Sequence, residues 1–264
     1  MYKEGDFRAV GKMGSVSLQE MSSVSLMNRV DTKFVTTAEK LQLVLDDALE
    51  SGYRVCEIAG KRLLDYASVY YDTPDLKMFT AHRNGKKTRQ KVRVRTYLVD
   101  NQTFLEIKRK SNKGRTKKKR IMIPHDAVMN FGAVPEASAF LQKKSWWKPE
   151  DITPETTTDF SRFTLVNREM TERVTVDLNL SFRNFRSGVE ASLGELVIIE
   201  LKQDASSQSQ MKRILLGRRV LPYRLSKYCI AVTLGDPQAR PGRFLEKVRY
   251  IEKITGKKLY NRNL

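Results

Sequence analysis

Apolar and polar positions alternate with a period of two through much of the chain, broken by shorter stretches of helical spacing. In Lys91-Val92-Arg93-Val94-Arg95 every second residue is cationic and those between are β-branched. The three cations therefore share one face of a predicted strand and the two valines the other. After a polar break at Asp100-Asn101, Phe104-Leu105-Glu106-Ile107-Lys108-Arg109-Lys110 repeats the pattern, with Glu106, Lys108 and Lys110 on one face. Arg54–Ile58, Leu64–Tyr71, Phe160–Asn167 and Glu172–Phe182 predict further strands. In the last of these, Val174, Val176, Leu178 and Leu180 alternate against Arg173, Thr175, Asp177 and Asn179. Gly194–Lys202 predicts a buried strand that carries Glu200 and Lys202 on the same face.

Helical spacing appears between these strands. Thr36-Thr37-Ala38-Glu39 has the form of a capping box, and Leu41, Val44, Leu45, Ala48 and Leu49 follow on one face as far as Gly52. Thr73-Pro74-Asp75 predicts a second helix start, with Thr73 as cap and Pro74 in the first turn, running to about Arg83. Asp126–Lys144 reads as mostly helical, with Trp146-Trp147 packing just beyond it. Ser206–Leu216 and a segment opened by Ser226-Lys227-Tyr228 read as helices. Phe244, Val248 and Ile251 predict a peripheral amphipathic helix in residues 235–264. No Ser/Gly/Pro-rich linker and no internal repeat divides the chain, so a single domain over residues 1–264 is expected.

Strands with one apolar face and one face charged in both signs point to an α+β fold of a particular kind. A sandwich hides apolar faces against each other and turns polar faces to water. A closed barrel can reverse this, with a polar lumen and an apolar outside covered by helices. Glu200 and Lys202 inside Leu-Val-Ile-Ile-Glu-Leu-Lys are costly to bury unless partners or a ligand compensate them. The expected architecture is therefore a closed antiparallel β-tunnel with a cation-lined lumen, surrounded by helices.

Charge sharpens the picture. Lys and Arg number 49 against 30 Asp and Glu, giving a formal net charge of +19. Nine cations lie between Lys108 and Arg120 around Gly114, with Lys117–Arg120 expected as a solvated loop or rim. So dense a basic face repels itself unless a polyanion sits on it. Cys56 and Cys229 have no metal or redox spacing and read as buried thiols. The N-terminus lacks an apolar signal core and no stretch has the length to span a membrane, so a cytoplasmic protein is expected. Any membrane association would then come through a partner, such as a membrane protein, or through surface charge. Walker-type, dinucleotide-binding, zincin and nucleophile-elbow motifs are absent, and only His82 and His125 offer imidazoles. RNA-reading sheets display aromatics among their cations; these faces carry cations and carboxylates, which disfavours nucleic acid as the partner.

Five stretches carry a family resemblance: Asn28-Arg29-Val30-Asp31-Thr32-Lys33-Phe34, Lys91–Arg95, Phe104–Lys108, Glu195–Lys202 and Ser226-Lys227-Tyr228. In that order they resemble the catalytic domain of the vacuolar transporter chaperone (VTC) polyphosphate polymerases, of the triphosphate tunnel (CYTH-like) group, over roughly Leu18 to Leu234. The resemblance implies a β-tunnel that binds ATP, inorganic polyphosphate and Mn²⁺ or Mg²⁺, and transfers the γ-phosphoryl group of ATP to a growing phosphate chain. It assigns Lys33, Arg93, Arg95, Lys108, Arg162, Arg173 and Lys227 to the phosphate-binding catalytic cations. Phe160 stands where the family stacks adenine, while Lys202, Ser226 and Arg120 would contact phosphate. Glu200 would hold the metal; Glu106 is either a second metal ligand or an orienting partner for a tunnel arginine. No SPX-type regulatory domain and no transmembrane region is recognisable in this sequence, a departure from the family's eukaryotic members. It also lacks the paired first-strand glutamates of the cyclase and thiamine-triphosphatase branches, offering Asp31 beside Lys33. A triphosphate or polyphosphate hydrolase in the same tunnel, and a non-catalytic polyanion-binding module, are the alternative readings.

Overall fold

A computed structural model describes residues 1–22, 29–204 and 208–260. Asn28 of the first resembling stretch, and Ser206 and Ser207 of the predicted helix, lie outside the described residues. The first half contains α1 (Arg8–Lys12), β1 (Ser15–Val16), α2 (Leu18–Ser22), β2 (Arg29–Thr37), α3 (Ala38–Glu50), β3 (Arg54–Cys56) and β4 (Leu64–Asp72). It continues with α4 (Lys77–Arg83), β5 (Arg89–Tyr97), β6 (Gln102–Lys110), β7 (Thr116–Met122) and α5 (Pro135–Lys144). The second half contains β8 (Thr153–Val166), β9 (Glu172–Asn184), β10 (Glu190–Ser192), β11 (Leu196–Asp204), α6 (Gln210–Gly217), α7 (Lys227–Gly235) and α8 (Phe244–Thr255).

The main path of the sheet runs β2-β11-β9-β8-β4-β5-β6-β7, antiparallel throughout. The fold is thus α+β as expected, but the barrel is not closed. Among the described residues β7 and β2 end the path without pairing with each other. The physical reason lies at the two edges. On the β2 side, Phe34 bridges Pro222 and the Tyr223 N–H donates to the Lys33 carbonyl at 2.6 Å, so that edge is already occupied. On the other, β7 is exposed almost throughout and carries Lys117, Lys118, Lys119 and Arg120 in succession. A cationic strand suits a sheet edge, where its charges stay hydrated. The segment expected as a loop or rim is therefore an ordered edge strand.

Side-chain alternation gives the sheet two unlike faces. Val92, Val94, Leu105 and Ile107 pack under α5 and the short 3₁₀ turns before it, with Phe131, Ala137 and Leu141. Phe163, Leu165, Val174, Val176, Val197, Ile199 and Leu201 pack against Leu41, Val44 and Leu45 of α3 and Met211 and Leu215 of α6. The opposite face is divided. At one end α7 and α8 close over Val35, Ile198, Leu180, Phe182 and Tyr66; at the other the face is charged.

Local signals shifted by a residue or a turn. Strand β2 continues through Thr37, which pairs with Leu196, so Thr37 precedes α3 and the predicted Thr36 capping box does not form. Helix α4 begins four residues after Thr73, whose Oγ1 accepts from Lys77 N at 2.9 Å. The Asp72 carboxylate accepts from Met78 and Phe79 N–H groups at 2.9 and 2.8 Å and serves as its anionic cap. Asp126–Lys144 is two 3₁₀ turns followed by α5. Ser226-Lys227-Tyr228 opens α7 as expected, and Ser226 proves to be its cap, with Oγ accepting from Cys229 N. Phe244, Val248 and Ile251 form the buried face of α8. Trp147 packs into the α5 core, whereas Trp146 is exposed under the Arg109 guanidinium, 4.8 Å from its ring.

Candidate functional site

Strand pairing brings the predicted cations onto one surface. In register, Tyr70, Arg93, Glu106 and Arg120 form a row across β4, β5, β6 and β7, and Lys91, Lys108 and Lys118 form the next. Ser68 lies beside Arg95, which lies beside Phe104. On the second half of the sheet Arg162 pairs with Asp177, Glu200 with Lys33 and Thr175, and Lys202 with Asp31 and Arg173. The first turn of α7 adds Ser226 and Lys227, so all thirteen sequence-assigned residues line the charged face or its α7 border.

Three carboxylates organise the cations. Glu106 is fully buried: Oε2 accepts from Arg93 Nε at 2.7 Å and Nη2 at 2.5 Å, and Oε1 from Lys118 Nζ at 3.0 Å. Burial alone would raise its pKa, but Arg93, Arg95 and Lys118 hold it well below the usual carboxylate range. Asp177 accepts from Arg162 Nε at 2.5 Å and Nη2 at 2.9 Å and also pairs with Lys227. Burial is again outweighed, here by Arg162 and Lys227, and Asp177 stays ionised. Glu200 accepts from Lys202 Nζ at 3.0 Å. Lys33, Lys202 and Lys108 overcome its burial and keep it well below the usual range.

Arg95, Lys91, Lys108 and Lys33 form no ion pair with a carboxylate among the described residues. Arg95, only 7 % exposed, donates from Nε to Ser68 Oγ at 3.1 Å and lies over the rings of Tyr66 and Phe160 at 5.6 and 5.4 Å. Burial, then Arg93 and Arg162, bring its pKa down to about 10. Lys91 Nζ donates to Ser226 Oγ at 2.6 Å, and burial lowers its pKa. Arg93 and burial hold Lys108 well below the ordinary lysine value. Lys33 Nζ reaches the Leu225 carbonyl at 3.5 Å. Lys227, despite Asp177, is brought down to about 8 chiefly by burial. Such charges are destabilising as they stand, and an anion that took hydrogen bonds from them would be bound strongly. The N-terminus of α7 adds its partial positive charge on the same side.

Sequence reasoning missed Asp177, which links Arg162 to Lys227, although its place in the Arg173-Thr175-Asp177 alternation was a usable signal. It also missed Tyr70. The phenol lies against Arg93 Nη1 at 3.2 Å and stacks on Tyr228 at 5.1 Å. Burial raises its pKa, but Arg93, Arg95, Lys91 and Lys227 together outweigh that and bring it to about 8. Phe160 is 3 % exposed, stacked on Tyr66 at 5.2 Å with Lys227 Nζ 4.1 Å from its ring centre. It lies packed beneath the cations. Arg120 turns over Phe104 at 4.4 Å. The cleft between α1 and α3, lined by Phe7, Lys12, Gln42 and Leu45, lies on the opposite, helix-covered side.

As a metal centre the surface offers Glu200, with the exposed Asp31 at its border across from Lys202. No group of three His, Cys, Asp or Glu converges among the described residues. Glu106 has both oxygens engaged by cations, an orienting geometry. Glu200 is 22 % exposed and has one oxygen outside the Lys202 bond. It fits a divalent ion whose other ligands are phosphate oxygens and water.

A sequence model of the VTC domain matches residues 28–234. The chain belongs to the VTC domain family. The resemblance read from the five sequence stretches is thereby borne out. No curated protein matches this VTC domain significantly in sequence. Among solved structures, a candidate adenylyl cyclase from Hippeastrum in which a triphosphatase activity dominates is similar at TM-score 0.49 and 14 % identity, covering 79 % of this chain and 97 % of that one. A candidate adenylate cyclase from Bacillus halodurans is similar at TM-score 0.48 and 11 % identity, over 75 % and 94 %. One from Vibrio parahaemolyticus is similar at 0.45 and 10 %, over 76 % and 96 %. No helix of the VTC domain's described residues is long and apolar enough to cross a membrane.

Proposed function

We propose that this VTC domain transfers the γ-phosphoryl group of ATP to the end of an inorganic polyphosphate chain. The observation that carries the reading is the charge imbalance on one sheet face. Lys33, Lys91, Arg95 and Lys108 make no direct ion pair with a carboxylate among the described residues, and Lys33 and Lys108 share Glu200 only at longer range, while Glu106 and Asp177 are spent on orienting Arg93, Arg162, Lys118 and Lys227. Phosphoryl transfer asks a protein for in-line positioning and neutralisation of the phosphoryl oxygens. Arg93 and Arg162, each clamped by a carboxylate, present planar donors at fixed angles; Arg95 and Lys108 supply charge. The acceptor oxygen of a terminal phosphate is already ionised near neutral pH, so no general base is required. A divalent ion held by Glu200 would supply further neutralisation of phosphate oxygens. Few carboxylates are left to activate water, which favours transfer over hydrolysis.

Incubation of the protein with ATP and Mn²⁺, followed by resolution of ADP, orthophosphate and polymer, tests this directly. Expected are ADP and an acid-labile phosphate polymer in step, with little early orthophosphate. Orthophosphate equal to ADP from the first turnovers would replace the transferase with a hydrolase. Binding of phosphate chains without turnover would leave a polyanion-binding module.

A further inference from the structure

The charged face does not end at the residues already placed. Two positions further along β5 and β6, Arg89 pairs with Lys110, directly after the Lys91/Lys108 pair and on the same face. Like charges opposite each other in a sheet are destabilising, and here two such pairs follow in succession. Each two-residue step advances about 7 Å, so Arg89 and Lys110 lie about 14 Å beyond the Arg93/Glu106 row.

Two more arginines reach this end from other elements. The Arg243 guanidinium, just before α8, lies over the turn between α4 and β5. There Gly85 has a φ of +71°, and an added Cβ would meet Nη1 at 2.6 Å. Arg224 lies just before α7, its carbonyl held by Lys247 Nζ at 2.7 Å. Burial together with Arg243 and Arg224 lowers the Arg89 pKa; burial with Arg89 and Arg224 lowers that of Lys110. None of the four has a carboxylate partner among the described residues. Arg89 and Lys110 are half-buried, whereas Arg224 and Arg243 are exposed.

We propose that Arg89, Lys110, Arg224 and Arg243 form a second anion subsite, which holds internal phosphates of a linear polyphosphate chain whose end lies among Arg93, Arg95 and Lys108. The inference rests on the proposed phosphate-chain function and adds chain length as what this subsite recognises. A chain seated at Arg93 reaches Arg89 only after several more phosphates, so tripolyphosphate does not engage it. The ligand is a flexible polyanion whose charges recur along an extended backbone, matching cation pairs that recur along two strands.

The test is calorimetric binding of tripolyphosphate and of long-chain polyphosphate to wild type and to R224A/R243A, at low and moderate salt. Both residues are exposed, and unchanged tripolyphosphate binding certifies the fold. Expected is tripolyphosphate affinity within two-fold of wild type. Long-chain affinity should fall at low salt by about two- to five-fold per residue, and its salt dependence should become shallower. Equal losses for both ligands, or no loss for the long chain, would overturn the subsite. Failure of wild type to bind tripolyphosphate would overturn the proposed function instead, so the two failures are distinguishable. Single-stranded RNA competing as well as long polyphosphate, with the same dependence on Arg224 and Arg243, would also overturn the assignment.

Discussion

Replacing Lys108 by methionine separates a site built for an anion from a face held together by its own ion pairs. Lys108 lies between Lys91 and Lys118 across β5, β6 and β7, and Arg93 and burial already hold its pKa well below the ordinary value. Methionine keeps the length and removes the charge. Relief of two like-charge cross-strand pairs, at about 0.2–1 kcal/mol each, should raise the ligand-free Tm by a few degrees. The sign with pH follows from linkage. Because the folded pKa lies below the unfolded one, the unfolded chain binds more protons between them. The cost of keeping Lys108 is therefore fully present below its folded pKa, and the gain in K108M should fade as pH rises from there towards about 10.4.

Ligand should act in the opposite sense. At one hundred times its Kd, tripolyphosphate stabilises wild type by about 2.7 kcal/mol. For a chain of this size that is a Tm rise of about 5–10 °C. Losing one charged hydrogen bond of about 1.5–3 kcal/mol weakens binding by about ten- to a hundred-fold or somewhat more. At the same ligand concentration and a thirty-fold loss, stabilisation drops to about 0.9 kcal/mol, or about 2–3 °C. Differential scanning fluorimetry with and without tripolyphosphate, at pH 7 and pH 10, reads both effects. A lower ligand-free Tm with an undiminished ligand shift would refute the reasoning, because Lys108 would then be a structural cation.

Asp177→Asn should destabilise the ligand-free protein by about 3–5 kcal/mol in urea unfolding, because Arg162 and Lys227 lose their shared carboxylate; an unchanged midpoint would mean that the pairing is incidental. Lys227 titrates near 8 in the free protein, and an adjacent phosphate would hold its proton. Chain affinity should thus be level below pH 8 and fall above it, with proton uptake at pH 8.5 seen by calorimetry in buffers of different ionisation enthalpy; no uptake would place the phosphates away from Lys227. Arg95→Ala should cost about ten-fold or more in tripolyphosphate affinity at moderate salt, while the exposed Lys119→Ala costs at most a few-fold and only at low salt. Equal, salt-sensitive losses would describe an open basic surface. Lys118 does not serve as the neutral control, since it pairs with Glu106.

What the sequence determined was which side chains share a face. Period-two alternation is a local property of extended backbone, so Lys91, Arg93 and Arg95 had to stand together, as did Glu106 with Lys108 and Glu200 with Lys202. Helix existence was equally legible from apolar spacing and from the Ser226-Lys227-Tyr228 opening, because each needs only neighbours within a turn. The start of α4 was less legible, because Asp72, the last residue of β4, caps it after an intervening turn.

Tertiary structure decided how the faces combine. Whether Glu106 orients Arg93 or ligates a metal depends on which cation stands across the strand pair. Register supplied Arg93 on one side and left Lys118 within reach on the other. Phe160 had the same local pattern as an exposed platform residue, yet the approach of Tyr66 and Lys227 buries it. Closure of the barrel was beyond local reasoning for the same cause. Alternation fixes the two faces of each strand but does not specify what meets the edges of β2 and β7. That depends on residues 222 and 223 and on the hydration of four consecutive cations. Charge placement is written in short-range sequence because a strand's pleat is local; charge pairing is not, because it is a contact between strands far apart along the chain.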